Sequence, residues 1–388
     1  MMSRIPKNIN HYSQFTRKFN RFWTRLFSVY GLQLQHVEEN ICPKWKKYFI
    51  VSLPRIFSVL CIIRYFILTA RMTQYEVFVI VGPPTILHVI SIYTAFVLQK
   101  REQKFSALYK ILLHLTLNSR DATNRIGRNI YTTLFIIAAL NAAIYISIIM
   151  MAVQSGTFLE YAFLVHNEFN FYLLQVFILV EAIFNTVFVH FFLGITVLYF
   201  SYMCKVLELA FKTLNEDMKW VIISTSGLTN TKLNVFRRRY QYLSHIAEKI
   251  SKIFSPLLLL FLMGFVFIFC LKIRSVKPEY AMIFRYYFII DACHLIYLVI
   301  VIFKNSSELH AQTQKMKGKI SELLIISDDE AAASTKQDRI SINCLLFSQT
   351  LNADNVGISV SGLFLLSTFS FLNMASTVMT YVVLVYQS

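Results

Sequence analysis

The sequence has 388 residues, of which 56% are hydrophobic and only 15% charged, and its formal net charge is +17. So few charged side chains cannot cover the surface of a soluble protein of this length, and the composition therefore indicates an integral membrane protein. In a soluble protein, excess positive charge suggests binding to nucleic acid. In a membrane protein, basic residues instead accumulate in the loops on one side of the bilayer. No nucleic-acid partner is therefore expected.

Seven apolar stretches follow one another along the chain. A helix needs about 20 mainly apolar residues to cross a hydrocarbon core about 30 Å thick, so the predicted fold is all-α with seven transmembrane helices. The predicted spans are Tyr48–Ala70, Tyr75–Leu98, Asn129–Val153, Phe169–Tyr199, Ile253–Ile273, Ala281–Phe303 and Ile358–Tyr386. The fourth is longer than a span requires and is expected to continue as a helix into the next loop.

The basic residues predict the orientation of the chain. Of the 38 lysines and arginines, 31 lie in the N-terminal segment and in the loops after spans two, four and six, whereas four lie in the other three loops. Basic residues are retained on the cytoplasmic side, so the N-terminus is predicted to be cytoplasmic and the C-terminus extracellular. A G-protein-coupled receptor has the opposite orientation, which makes that class a poor alternative.

The predicted cytoplasmic segments contain amphipathic helices. The N-terminal one is basic and is expected to rest on anionic lipid or on neighbouring helices. Another precedes the fifth span at residues 233–250. Two further apolar stripes, at residues 309–323 and 340–351, lie between spans six and seven. Such faces must be buried, and packing against other copies of the chain is one solution. Residues 304–357 are therefore predicted to form an assembly region.

The seventh span carries a regular row of polar side chains. Steps of three or four residues place Ser370, Asn373, Thr377, Thr380, Leu384 and Gln387 on one helix face. One interpretation is close helix packing through small and hydroxyl residues. The other is a wet pore wall with an apolar constriction at Leu384 or Val383 and a ring of Gln387 amides. A pore requires several copies around one axis, and neutral dipoles favour cations over anions.

The end of the seventh span resembles the signature of insect gustatory receptors. Thr380 and Tyr381 are followed by five apolar residues and then Gln387, which is similar to the Thr-Tyr, five hydrophobic residues, Gln-Phe pattern that ends the last helix of that family. Position 388 is Ser, where the family usually has Phe. The resemblance also relates the chain to the insect odorant receptors.

This resemblance implies a tetrameric, ligand-gated, non-selective channel for monovalent and divalent cations. It implies a homotetramer or a heteromer with related subunits, in the plasma membrane of gustatory neuron dendrites, axons and cell bodies. The predicted regions are residues 1–47, a cytoplasmic amphipathic segment; 48–303, a six-helix ligand-binding bundle with cytoplasmic extensions; 304–357, the cytoplasmic anchor; and 358–388, the pore-lining helix. Gln387 and Leu384 are the predicted gate.

A tastant pocket requires convergent polar groups among aromatic side chains, and ionisable groups inside a membrane are candidates for function. The predicted ligand-binding residues are Tyr145, Gln175, Glu181, Arg285, Tyr286, Tyr287, Asp291 and His294. The alternative is a structural ion pair of Arg285 with Glu181 or Asp291. Because all three tryptophans lie on the predicted cytoplasmic side, we expect a bitter, apolar or aromatic ligand rather than a sugar.

No motif indicates catalysis. The sequence contains no glycine-rich phosphate loop, no nucleophile elbow and no metal-spaced cluster of His and Cys, so neither an enzyme nor a cofactor nor a metal site is expected. A secondary transporter is the remaining alternative, since Glu181 and Asp291 are carboxylates within spans. Transporters usually contain two repeated halves, and no such repeat is visible.

Overall fold

The computed structural model describes residues 14–32, 44–71, 75–116, 120–154, 171–223, 229–276, 282–329, 342, 344–349 and 356–387. The all-α prediction is confirmed. The helices are α1 (Gln14–Ser28), α2 (Lys44–Arg71), α3 (Tyr75–Lys100), α4 (Glu102–Thr116), α5 (Arg120–Gln154), α6 (Phe171–Phe184), a π-helix (Asn185–Phe191), α7 (Phe192–Ile223), α8 (Asn230–Arg274), α9 (Met282–Asp329) and α10 (Thr368–Gln387). Residues 344–349 are also helical. The sequence predicts an exposed loop at residues 327–336, but residues 327–329 are helical in α9. The sequence also predicts a helix break at residues 352–357, of which residues 356 and 357 are described and are not helical. The other residues of these two segments, and Ser388, lie outside the described residues.

The membrane-spanning helices correspond to the predicted spans. Five stretches of the described chain are long and apolar enough to cross a membrane, namely Val81–Lys100, Asn124–Val153, Gln175–Val221, Asn230–Arg274 and Met282–Ser321. They contain or closely match spans two to six. The first predicted span is helical in α2, and the seventh is helical in the shorter apolar helix α10. The chain is therefore a multi-pass membrane protein.

Three of these helices continue far beyond a bilayer. Helix α8 has 45 residues and α9 has 48, which at a rise of 1.5 Å per residue gives lengths of about 70 Å. The hydrocarbon core is only about 30 Å thick, so spans five and six run without a break into the predicted amphipathic helices at 233–250 and 309–323. Span four likewise continues in α7 to Ile223, which confirms the extension predicted for it.

The chain divides into two compact units. The first comprises residues 1–199, 260–300 and 375–388, and the second comprises residues 200–259 and 301–374. In the first unit, α1 buries Trp23 and Phe27 against Tyr199, with ring centroids 5.2 and 4.9 Å apart. The described part of the basic N-terminal helix thus packs two aromatic side chains against protein.

The second unit is held together by buried apolar and polar contacts among α7, α8 and α9. Leu309, Met316 and Ile320 are fully buried, as expected for the first stripe after span six. Lys205 forms an ion pair with Glu308. In the second stripe, Cys344 and Phe347 are buried, while three of the five residues that define the stripe are exposed in the single chain: Ile342, Leu345 and Leu346. The other two, Ile340 and Leu351, lie outside the described residues.

The start of the seventh span differs from the prediction. Residues predicted to be helical from Ile358 instead form a hairpin of β1 (Ser359–Val360) and β2 (Phe364–Leu365), paired antiparallel. The turn places both Ser361 and Gly362 at positive φ, at 51° and 72°, which is the geometry of a tight hairpin turn and suits glycine. The small polar residues at this end of the segment therefore build a turn and not a helix face.

Helix α10 begins ten residues later than predicted, at Thr368. Ser367 caps it: the backbone N–H of Ser370 donates to Ser367 Oγ at 3.3 Å, and the backbone N–H of Ser367 donates to Ser370 Oγ at 2.9 Å. This reciprocal arrangement satisfies two backbone donors at the helix start, as in a capping box. Ser367 and Ser370 therefore define the N-terminus of the helix.

Side chains of α8 and α9 fix the hairpin. Ser251 of α8 donates from Oγ to the carbonyl of Ser359 at 3.1 Å and accepts from the Ser359 N–H at 3.0 Å. Thr313 of α9 donates to the carbonyl of Val356 at 3.1 Å. The segment entering α10 is thus hydrogen-bonded to both long helices within the second unit.

We expect Gly194→Ala to destabilise the protein by about 1–3 kcal/mol, because added atoms in a packed core force a displacement. A Cβ at this position of α7 would lie 2.7 Å from Cγ2 of Ile137, which is fully buried. That methyl is attached at the branch point and moves only if the restricted χ1 angle changes. Thermal unfolding in detergent measures the loss.

Gly264→Ala is the matched control. Its Cβ would meet Cδ1 of Ile90, a terminal methyl that moves by rotation about χ2, so a smaller loss is expected. Equal losses for the two variants would contradict the explanation based on the branch point.

Candidate functional site

A fully buried ion pair lies in the first unit, between α8 and α9. Lys272 Nζ contacts Asp291 Oδ2, and the two side chains are 1% and 0% exposed. The ammonium lies 4.5 Å from the ring centroid of Tyr287 and 5.3 Å from that of Phe288, and Nζ lies within 3.5 Å of Tyr287 Oη. Burying two charges is tolerated only when they neutralise each other and make further polar contacts, and aromatic faces supply some of these here.

Two histidines adjoin the carboxylate of this pair. His190 Nδ1 lies 3.6 Å from Asp291 Oδ1, and the ring centroids of His190 and His294 are 5.6 Å apart. Asn141 Nδ2 approaches His294 Nε2 at 3.5 Å and donates to the Ile137 carbonyl at 2.7 Å. All of these polar side chains are buried. The result is a dense polar cluster inside an apolar bundle.

The π-helix places His190 in this cluster. Residues Asn185–Phe191 form a π-helix between two α-helical segments, and Asn185, Val189 and His190 are its buried residues. A π-turn adds a residue to the helical repeat and so re-aims the side chains that follow, which is why such segments are frequent at functional sites. Aromatic side chains surround it, with Phe184 stacked on Phe57 at 4.3 Å.

A second ion pair joins α2 to α6. Arg64 donates from Nη1 to Glu181 Oε2 at 2.6 Å and from Nη2 to Oε1, so the contact between guanidinium and carboxylate is bidentate. Tyr65 Oη donates to Glu181 Oε1 at 2.9 Å. Two-point contacts of this kind are the strongest geometry for arginine and carboxylate. The two side chains are partly exposed, unlike Lys272 and Asp291.

The predicted structural pairing of Arg285 is wrong. Glu181 is paired with Arg64 and Asp291 with Lys272, and among the described residues Arg285 forms an ion pair with neither carboxylate. Arg285 was a candidate because it is a basic residue within the sixth predicted span, but helix packing brings other cations to these oxygens. Each carboxylate on which a transporter mechanism would depend is therefore neutralised.

The other predicted ligand-binding residues are distributed over several surfaces. Asp291, His294 and Tyr287 share the polar cluster. Tyr145 and Tyr287 also pack against an apolar cluster of Ile144, Ile148, Met151, Ala152, Ile178 and Ala182. Gln175 is half-buried, whereas Tyr286 is 52% exposed. The structure thus brings three of the eight together directly and places Tyr286 on the outside of the single chain.

Sequence reasoning missed Lys272, His190, Asn141 and Tyr65, and it recognised Arg64 as a charge within the membrane without assigning it a partner. Lys272 was counted as an outer-loop charge, although it lies within α8 and is buried. His190 and Asn141 were ordinary residues in apolar helices, and Arg64 had no identified partner. The signal that could have identified them is the ionisable or amide group itself, since such groups inside a membrane require a partner.

Helix α10 carries the predicted pore residues. Asn373, Thr377, Thr380, Val383 and Leu384 are exposed in the single chain, and Tyr381 is half-buried. Thr380 Oγ1 donates to the Ser376 carbonyl at 3.0 Å, which satisfies the hydroxyl within the helix. Gln387 is the last residue of the helix, and its side chain lies outside the described part of the chain.

The architecture matches solved structures of the insect olfactory receptor OR5 from Machilis hrabei, determined without and with eugenol. Both align with a TM-score of 0.77 and 11% sequence identity, over 96% of this chain and 98% of the receptor chain. The chain has the insect olfactory receptor fold. No protein-family model matches the sequence, and no curated protein sequence matches it.

This match confirms the fold that the resemblance at the end of the seventh helix implied. The likeness extends over nearly the whole length of both chains, although only about one residue in nine is identical. It therefore reflects helix order and packing, which tolerate extensive apolar substitution. The solved structures that share this fold are olfactory receptors and not enzymes.

Proposed function

We propose that this chain is a subunit of a ligand-gated, non-selective cation channel of the insect gustatory receptor type. The observation that carries the proposal is the olfactory receptor fold combined with Thr380, Tyr381 and Gln387 in the last two turns of α10. The fold supports a chemosensory receptor, and the motif favours taste over smell. Four copies around a central axis would give a closed ring.

The pore in this proposal is lined by α10. Its polar residues Asn373, Thr377 and Thr380 share one face with Leu384, and all four are exposed in the single chain. A lipid-facing position would be unfavourable for an amide such as that of Asn373, whereas water at a symmetry axis would solvate it. The side chain of Leu384 would close the pore by excluding water, and Gln387 would line its extracellular end.

Subunit contacts in this proposal come from the second unit. Ile342, Leu345 and Leu346 expose an apolar surface beside the buried Cys344 and Phe347. A neighbouring copy that covered this surface would remove it from water, as the predicted anchor region at residues 304–357 requires. In the predicted orientation, residues 201–252 and 304–357 of this unit are cytoplasmic and the C-terminus is outside the plasma membrane.

The ligand in this proposal is a small tastant that enters the bundle formed by residues 48–303. The aromatic and apolar side chains around Tyr145 and Tyr287 suit a bitter or aromatic compound better than a sugar. The related receptor bound to eugenol, itself a small aromatic compound, supports this ligand class. Glu181, Asp291 and His294 would orient its polar groups directly or through the cations that they bind.

Whole-cell recording tests the proposal. Cells expressing the chain, exposed to a panel of bitter and aromatic compounds, should show a ligand-evoked current that reverses near zero because the pore selects weakly among cations. Untransfected cells exposed to the same panel are the control. Saturable uptake of a compound without any current would contradict the channel and favour a transporter.

A further inference from the structure

The polar cluster in the first unit contains the donor set of a transition-metal site. One ligand atom from each of His190, Asp291 and His294 lies within 4.8 Å of the other two, and all three residues are buried. Two imidazoles and one carboxylate are a common donor set for divalent transition metals, and in zinc sites such a set leaves one position for water. No motif in the sequence revealed this set, because its members come from two distant segments.

The distances fit a small ion with little rearrangement. His190 Nδ1 and Asp291 Oδ1 are 3.6 Å apart, and ligands around tetrahedral Zn²⁺ at its usual bond lengths lie about 3.3 Å from each other. Asp291 and His294 are one helical turn apart on α9, so their side chains project from the same face. One ligand atom of His294 lies within 4.8 Å of a ligand atom of each of the other two residues.

The donor atoms have no other partner among the described residues. His190 Nδ1, His294 Nδ1 and Asp291 Oδ1 make no hydrogen bond there, although each is shielded from solvent. Buried polar atoms are nearly always satisfied, and each exception requires an explanation such as an ion. A metal ion at the centre of the three would satisfy them together.

The neighbouring residues provide outer contacts for such a site. Lys272 holds the other carboxylate oxygen, Oδ2, so the Asp291 ligand is oriented from behind. Outer groups of this kind fix the direction of metal ligands and tune their affinity. Lys272 also competes with the metal for the negative charge of Asp291, which weakens the binding of a cation.

We propose that His190, Asp291 and His294 bind a divalent transition-metal ion, for which Zn²⁺ is the probe. The bound ion links the π-helix to α9 and so fixes the two segments relative to each other. The site does not depend on the channel function proposed above, because its primary measurement is metal binding.

The test uses the purified full-length chain, titrated with Zn²⁺ and analysed for bound metal after removal of the excess. Wild type should hold about one ion per chain. His190→Gln and His294→Gln should each bind at least tenfold more weakly, since even the loss of an outer contact costs about 10–100-fold in affinity. His88→Gln is the matched control, because His88 is equally buried and lies outside the donor set; it should bind as wild type does.

Lys272→Met provides an independent test, because this variant should bind Zn²⁺ more tightly than wild type, whereas the histidine variants should bind it more weakly. This variant removes the competing cation, so Zn²⁺ should raise its melting temperature more than that of wild type. An equal or smaller rise would contradict the site. So would wild type that retains no ion, or affinity that is unchanged in both histidine variants.

If a histidine variant does not fold, Co²⁺ bound to wild type decides the question. Strong visible absorption of tetrahedral Co²⁺ supports the site, and a spectrum of octahedral Co²⁺ alone overturns it.

Discussion

Asp291→Ala is expected to lower the free energy of unfolding by about 3–5 kcal/mol, the usual cost of removing one member of a buried pair. The substitution leaves the Lys272 ammonium in a site where it is 1% exposed, with aromatic faces as its remaining partners. Aromatic rings compensate only part of a full charge. Thermal unfolding of the purified protein in detergent, compared with wild type, measures the effect.

Two controls separate the charge from the loss of a side chain. The double variant Lys272→Met/Asp291→Leu should recover most of the stability, because a buried pair is often replaced by apolar residues without loss. Glu248→Ala removes a partner of Lys252 at an exposed pair and should cost less than about 1 kcal/mol. If Asp291→Ala had the same free energy of unfolding as wild type, Lys272 would not depend on Asp291. That result would contradict the ion pair described here.

Leu384→Ala is expected to increase the current without ligand, because it shortens the side chain that closes the proposed pore. Burial of the lost carbons stabilises a closed constriction by about 2 kcal/mol for one chain, and such a bias changes the ratio of closed to open channels roughly thirtyfold. Whole-cell current before and after ligand addition measures the change. In the single chain Leu384 is 59% exposed, which leaves it available for contact with other copies.

Met379→Ala is the matched control for the constriction. Met379 is also apolar and 63% exposed, but the helical repeat of 3.6 residues places it on the opposite side of α10 from Leu384. Its truncation should leave the basal current unchanged. An increase for Met379→Ala and none for Leu384→Ala would assign the pore to another face of the helix.

The helices of this fold were predictable because hydrophobic length is a strong signal. Long apolar runs identified spans two to six, and helical periodicity identified the extensions of α8 and α9. The start of the seventh span was not predictable in the same way, since apolar residues are compatible with either strand or helix over a short stretch. The hairpin forms here because Ser361 and Gly362 adopt the positive φ angles that its tight turn requires.

The candidate site was predictable only in part. Glu181 and Asp291 were recognised because charges are rare inside membranes, yet their partners depend on which helices pack together. The π-helix that orients His190 has no sequence signature. Lys272 is a charged residue of the kind usually found in loops, although it lies inside α8. The partner of each charged side chain is set by how the helices pack in three dimensions. The sequence therefore identified the charged residues but not which of them pair.

The most direct test of the account is the water accessibility of α10 in the working channel. We expect a charged, membrane-impermeant thiol reagent, applied from outside, to block the ligand-evoked current of Thr380→Cys, because residue 380 faces the proposed pore near its extracellular end. Wild type and Met379→Cys should keep their current under the same treatment. Block of Met379→Cys but not of Thr380→Cys, or block only when the reagent is applied from the cytoplasm, would contradict a pore lined by this face of the last helix.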